Sequence, residues 1–142
     1  MSSIVKFFAA TKVDALDALN SGPDASFRVI SFGNFDAEEA LLDWESHFTG
    51  RSFEALVEED IPEVVAESDG GPAVFLLSDS LLDAFSSSST SQIEELAQWW
   101  VNEKAESGME IDLPVSLGIL RALVELTRQE REPQEGIYCW TS

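Results

Sequence analysis

Three side chains suited to acid–base chemistry or metal binding are spaced four residues apart: Glu39, Asp43 and His47, the chain's one histidine. On a helix, this spacing places them along one face. Carboxylates and imidazoles bind iron and zinc, and they also act as general acids and bases. Three such ligands on one helix extend about 12 Å, too far for one ion with bonds of about 2 Å. Asp43 and His47 are therefore the candidate metal ligands, or the centre of a hydrolytic site, with further groups from elsewhere.

A simpler interpretation is that these residues form an exposed helix side, on which Asp43 pairs with His47. The surrounding sequence predicts such a helix, since Asp36 is placed as its N-cap and Gly50 as its C-terminal stop. Its core-facing positions are Leu41, Trp44 and Phe48. We favour this interpretation, because short matches to a metal-binding pattern arise often by chance.

Other catalytic patterns and cofactor motifs find little support. The only cysteine, Cys139, lies between Tyr138 and Trp140 in an apolar segment, which is typical of a structural thiol. No serine occupies a GxSxG turn, and the glycines at 70 and 71 lack the lysine of a phosphate-binding loop. We therefore predict no cofactor, and we expect a protein without catalytic activity rather than an enzyme.

The charge of the chain is strongly acidic and unevenly distributed. Eight basic residues stand against 27 acidic ones, a net charge of −19. Residues 36 to 69 contain twelve acids and one arginine, a net charge of −11. This sign disfavours nucleic acids and anionic membranes as partners, whereas basic proteins remain compatible. Solvated helix faces or adaptation to a salty cell are alternative explanations.

The bulk properties predict one α+β domain spanning residues 1–142, with about four strands and four to six helices. The length and the 44% hydrophobic content suit a single globular core. Apolar runs predict strands at 4–10, 27–32, 73–77 and 137–141. The N-terminus lacks the features of a signal peptide, no segment has the length of a membrane span, and one cysteine makes no internal disulfide. We therefore expect a cytoplasmic protein.

The segment around Trp99 and Trp100 predicts a helix that Ser91 caps together with Glu94. The two indoles are about 100° apart around a helix axis, so both cannot face the same core. Either the helix is buried on two sides, or Trp99 is partly exposed. An exposed Trp99 is a candidate for contact with a partner protein, because tryptophan is enriched among interface anchors.

The order of several segments resembles the YfbM-like family of small bacterial proteins. The similar features are an N-terminal strand (SSIVKFFAA), Trp44 followed by the Thr49-Gly50 turn, the strand–helix segment GPAVFLLSDSLLDAF, and the serine-capped SQIEEL before a long helix and a terminal strand. The resemblance implies an α+β fold. The family has no established activity, so no functional residue is transferred to this chain.

Together these observations predict a non-catalytic protein-binding domain, of the immunity type that neutralises a basic toxin or nuclease. The expected partner is a basic protein, and the expected contact surface is the acidic face at 36–69. Its candidate contact residues, together with the tryptophan discussed above, are Glu38, Asp43, Glu45, Glu58, Glu59, Asp60 and Trp99. The alternative is a metal-binding protein or hydrolytic enzyme that uses Asp43 and His47.

Overall fold

The computed structural model describes residues 4–20, 22–23, 29–33, 35–129 and 131–142. These residues form five strands and six helices, which confirms the predicted α+β class. In chain order the elements are β1 (Ile4–Thr11), α1 (Lys12–Asp17), β2 (Val29–Gly33), α2 (Ala37–Thr49), α3 (Phe53–Glu58), β3 (Glu63–Glu67), β4 (Ala73–Leu76), α4 (Asp79–Ser86), α5 (Thr90–Glu106), α6 (Leu113–Arg128) and β5 (Glu135–Thr141).

The five strands form one antiparallel sheet in the order β2-β1-β5-β4-β3. The last strand of the chain, β5, is central because its Ile137–Trp140 segment is buried on both faces. Its Cys139 is paired with Phe7 of β1 on one side and with Phe75 of β4 on the other. The predicted strand at 27–32 corresponds to β2, although residues 27 and 28 lie outside the described residues.

Alternate residues of the strands support two apolar clusters, one on each face of the sheet. The larger cluster contains Phe7 and Cys139 and packs under α2, α4, α5 and α6. The smaller cluster contains Phe8 and Tyr138 and is covered by α1 through Ala15. The main helical layer therefore lies on one side of the sheet and the short α1 on the other.

The start of α5 corrects one prediction. The cap is Ser89, whose Oγ accepts a hydrogen bond from the Gln92 backbone, while the Gln92 side chain accepts one from the Ser89 backbone. The predicted pair, Ser91 with Glu94, lies within the helix instead. The prediction was wrong because several neighbouring hydroxyl residues can each cap a helix, and local sequence does not rank them.

Strand β3 was not predicted. Its sequence, EVVAE, has a glutamate at each end, and Val64 is exposed. It is an edge strand that pairs only with β4, and a bulge lies between Val64 and Ala66. Charges and bulges of this kind are common at sheet edges, where they oppose pairing with other chains. A strand that depends on one neighbour leaves little periodicity in the sequence.

Candidate functional site

The predicted face of α2 lies against α5, where a lysine joins two of its carboxylates. The Nζ atom of Lys104 lies 2.5 Å from Oε1 of Glu39 and 2.7 Å from Oδ2 of Asp43. The Lys104 side chain is only 8% exposed, and that of Asp43 is 16% exposed. Sequence analysis missed this lysine. The available signal was its rarity, since the chain has only three lysines among its 142 residues.

The environment of this cluster changes the acidity of its members. Burial alone would lower the pKa of Lys104, but hydrogen bonds from its ammonium to Asp43 and Glu39 raise that pKa above its ordinary value. Burial raises the pKa of Asp43, and the hydrogen bond from Lys104 lowers it by less. The nearby charges of Glu39 and Glu103 raise the pKa of Asp43 further. The cluster therefore holds a stabilised cation and a carboxylate that binds a proton more readily than in water.

His47 interacts with α5 rather than with Asp43. Its Nε2 atom lies 2.8 Å from Oε2 of Glu95, and its ring stacks on Trp99 with ring centroids 4.2 Å apart and an interplanar angle of 17°. The expected Asp43–His47 pair is therefore replaced by two separate contacts across the α2–α5 interface. Trp100 is fully buried, whereas Trp99 is only partly buried in this stack. Of the two alternatives for these indoles, the structure therefore shows the one in which Trp99 is partly exposed.

The two candidate metal ligands thus have different partners. Asp43 is bound by Lys104, and His47 is bound by Glu95. Among the described residues, no group of three or more His, Cys, Asp or Glu side chains is placed to hold a metal ion.

Glu45 does not lie on the surface, contrary to its selection as a partner-contacting residue. It is 1% exposed, and its Oε1 atom accepts a 2.5 Å hydrogen bond from Ser78 Oγ at the N-terminus of α4. A helix N-terminus favours a nearby negative charge, which accounts for a carboxylate at this buried position. The prediction used the acidity of the segment and had no information about which side of α2 faces α4.

Asp43 was also predicted to contact the partner, but it is only 16% exposed and is bound by Lys104. The four remaining predicted acids are exposed, and two of them border a groove. Glu38, Glu58, Glu59 and Asp60 are all exposed, although Glu59 forms an ion pair with Arg51. The groove lies between α2 and the segment that joins α3 to β3, and its volume is about 440 Å³. We call it the acidic groove; it is lined by Glu38, Leu42, Val57, Asp60, Ile61, Pro62, Glu63 and Val64.

The acidic groove combines charge with exposed apolar surface. Val57 is 52% exposed and Val64 is 43% exposed, while Glu38, Asp60 and Glu63 supply three carboxylates, and none of the described basic residues lines the groove. The sequence analysis did not select Glu63, Val57 or Val64. Glu63 was within the acidic segment, but only the fold, which places the start of β3 near α2, brings it to the same groove as Glu38.

Asp60 shapes the approach to the groove. Its backbone has φ = +56°, in the left-handed region that non-glycine residues seldom adopt. Aspartate tolerates this region better than most residues because its short side chain can interact with the local backbone. The turn places Asp60 directly after α3 and before the groove-lining residues Ile61 and Pro62.

None of the helices in the described part of the chain combines the length and apolar character needed to cross a lipid bilayer. No protein-family model matches the chain, and no similar protein was found among curated sequences or solved structures. The resemblance to the YfbM-like family therefore stays a prediction from the order of sequence segments.

Replacing Asp43 with asparagine should change how stability depends on pH. The folded wild type binds a proton at Asp43 at a higher pH than the unfolded chain, whose reference pKa is 3.8. Acidification from pH 7 to pH 4 therefore stabilises the wild type through this group, and the variant lacks that contribution. Urea titrations should therefore show that the free energy of unfolding of the wild type, minus that of Asp43→Asn, becomes larger as the pH is lowered from 7 to 4. A difference that stays constant or decreases would contradict the assigned environment of Asp43.

Proposed function

We propose that this chain is a non-catalytic binding module for a basic protein, and that the acidic groove is its contact surface. The observation that carries the proposal is the composition of the groove, where three exposed carboxylates surround exposed valine side chains without a basic residue. Protein interfaces commonly combine an apolar centre with a polar rim, and opposite charges on the two partners guide their association. The groove supplies both features.

The ion pairs formed among the described residues all lie outside the groove. Elsewhere, Arg51 pairs with Glu59, Arg121 pairs with Glu94, and Lys104 binds two carboxylates of α2. Among the described residues, no ion pair involves Glu38, Asp60 or Glu63. Their mutual repulsion is therefore relieved only by solvent and salt, and a basic partner would relieve it further.

The charge of the whole chain supports a basic toxin or nuclease as the partner, the kind of protein that an immunity-type domain neutralises. Nucleases and other proteins that act on nucleic acids present basic surfaces, because they must neutralise phosphates. A chain of net charge −19 is electrostatically complementary to such a surface. The groove, at about 440 Å³, has room for a few side chains of a partner, such as lysine or arginine beside an apolar residue.

The proposal predicts that neutralising the groove weakens partner binding. The test variant carries Glu38→Gln, Asp60→Asn and Glu63→Gln, and its affinity for the partner should fall about tenfold to a hundredfold at low salt, because each lost charge contact contributes up to about 1 kcal/mol. Immobilised wild-type protein would first be used to isolate a basic protein from a lysate of the source organism. Calorimetry with the purified partner would then give the affinities at two salt concentrations.

A matched control separates the groove from overall charge. The control variant carries Asp14→Asn, Asp17→Asn and Glu132→Gln, which removes the same number of exposed carboxylates outside the groove. The control should bind as the wild type does, within about threefold. Equal weakening by both variants would show that net charge alone drives binding. Retention of no basic protein by the wild type would contradict the proposal.

A further inference from the structure

A second concavity lies between the N-terminus of α5 and α6, away from the residues of the acidic groove. Its volume is about 340 Å³. Two of the chain's eight basic residues line it, together with three hydroxyl residues, two apolar residues and one glutamate. We call it the arginine pocket; the residues used below are Ser89, Thr90, Ile93, Arg121, Val124 and Arg128.

The guanidinium of Arg128 is held in place without a carboxylate. Its Nε donates to the carbonyl of Ser86 at 3.1 Å, and its Nη2 donates to the carbonyl of Ser88 at 2.7 Å. These two bonds fix the plane of the guanidinium and leave its Nη1 edge with no hydrogen-bond acceptor among the described residues. No carboxylate of the described part of the chain lies within ion-pair distance of Arg128. Arg128 therefore carries a positive charge that no described carboxylate contacts, and this charge is available to a ligand.

The rest of the pocket adds to this positive character on one side and offers apolar contact on the other. Helix α5 has 17 residues and no acid in its first turn, and the backbone N–H of Thr90 has no acceptor among the described residues. Arg121 forms only a long, exposed ion pair with Glu94 at 3.5 Å. Ile93 and Val124 are nearly buried and supply the apolar wall. An anionic group beside a short hydrocarbon chain matches this arrangement.

Glu125 restricts the charge that the pocket accepts. It lines the same pocket, and the negative charge of its carboxylate partly offsets the positive charges of the two arginines. The two arginines and Glu125 leave the lining side chains with a net charge of +1, and Glu94, outside the lining, partly offsets Arg121, so the pocket suits one negative charge better than two. A carboxylate therefore fits better than a phosphate dianion, which would place two charges near Glu125.

From these contacts we propose that the arginine pocket binds a small organic monoanion, a carboxylate attached to a short apolar chain. The carboxylate lies against Arg128 and the N-terminus of α5, and the hydrocarbon chain lies against Ile93 and Val124. This site is independent of the acidic groove, so its failure would leave the proposed protein-binding function untouched.

The test uses the full chain and three probes: hexanoate, hexan-1-ol and inorganic phosphate. Binding is followed by amide chemical shifts in ¹⁵N-labelled protein, which also report the location through Thr90 and Ile93. Hexanoate should shift these amides and bind at least about tenfold more tightly than either other probe, since a charge-assisted hydrogen bond contributes about 1.5 kcal/mol. Equal binding of hexan-1-ol would overturn the role of the charge, and equal binding of phosphate would overturn the role of the apolar wall. Absence of hexanoate binding would overturn the proposal as a whole.

Variants locate the site. Arg128→Gln should weaken hexanoate binding about tenfold. Arg121→Gln, which removes only an exposed ion pair, should weaken it about threefold to tenfold and provides a second variant that retains the fold. Arg131→Gln removes the same charge three residues further along, beyond the end of α6 and outside the pocket, and it should leave binding unchanged. Equal loss in Arg131→Gln and Arg128→Gln, or no loss in both pocket variants, would contradict the assignment.

Discussion

Replacing Trp100 with alanine should lower the free energy of unfolding by about 4 kcal/mol, the range typical of large aromatic truncations in a core. The Trp100 side chain is 0% exposed and belongs to the larger apolar cluster. Its ring centroid lies 5.1 Å from that of Trp44 at an angle of 72°, and 5.6 Å from that of Phe35 at 86°. Alanine would leave a cavity between α2 and α5 and remove both edge-on aromatic contacts.

Trp99→Ala is the matched control, because it changes the same residue type at the next position. Trp99 is partly buried and its main ring contact is with His47, so the expected loss is about 1 kcal/mol. Urea unfolding followed by far-ultraviolet circular dichroism avoids dependence on the tryptophan signal itself. Similar losses for the two variants would contradict the assignment of Trp100 to the core and Trp99 to its edge.

The indole nitrogen of Trp100 allows a sharper version of this test. Neither Trp100 Nε1 nor Trp44 Nε1 has a hydrogen-bond partner among the described residues, although both atoms are buried. A buried N–H without a partner is destabilising, so Trp100→Phe removes part of that cost while keeping an aromatic ring. Trp100→Phe should therefore retain more than half of the stability that Trp100→Ala loses.

Replacing Lys104 with methionine should lower the free energy of unfolding by about 3 kcal/mol at pH 7. Methionine has a similar length and fills the same space, so the loss reports mainly on charge. Without the ammonium, the largely buried carboxylate of Asp43 would lie near the half-exposed carboxylate of Glu39 with no cation between them. Removing one partner of a buried ion pair is costly because the remaining charge is left uncompensated.

Arg121→Met makes the same change of net charge at an exposed ion pair and should alter stability by less than about 0.5 kcal/mol. The double variant Lys104→Met with Asp43→Asn should recover at least about 1 kcal/mol of the loss, because the uncompensated carboxylate is gone. Urea titrations at pH 7 would measure all three. Equal effects of Lys104→Met and Arg121→Met, or no recovery in the double variant, would contradict the role assigned to Lys104.

Local sequence signals predicted much of the fold because they depend on neighbouring residues alone. Helix α2 begins after Asp36, whose side chain accepts a hydrogen bond from the Glu39 backbone, and it ends at Gly50 in the left-handed conformation, as predicted. Four of the five strands were predicted from apolar runs between turn residues. Strand β3 was missed because its pairing with β4, rather than its own pattern, makes it a strand.

The cap of α5 shows where local signals become ambiguous. The run from Ser86 to Ser91 contains only residues with hydroxyl side chains, and any of several could begin the helix. In the fold, Arg128 of α6 binds the carbonyls of Ser86 and Ser88, which holds this loop and leaves Ser89 as the cap. This contact joins residues 40 positions apart, so local sequence gives no sign of it.

By itself, the sequence determined the α+β class, the bounds of α2 and an acidic segment that contains too few basic residues to balance its charge, because composition and short-range signals carry those properties. Tertiary structure decided which acids are available. It buried Glu45 beside Ser78, paired Asp43 with Lys104, and brought Glu38 and Glu63 to one groove. These outcomes depend on how α2 is rotated against its neighbours, and contacts between residues 65 positions apart leave no periodic signal in the chain.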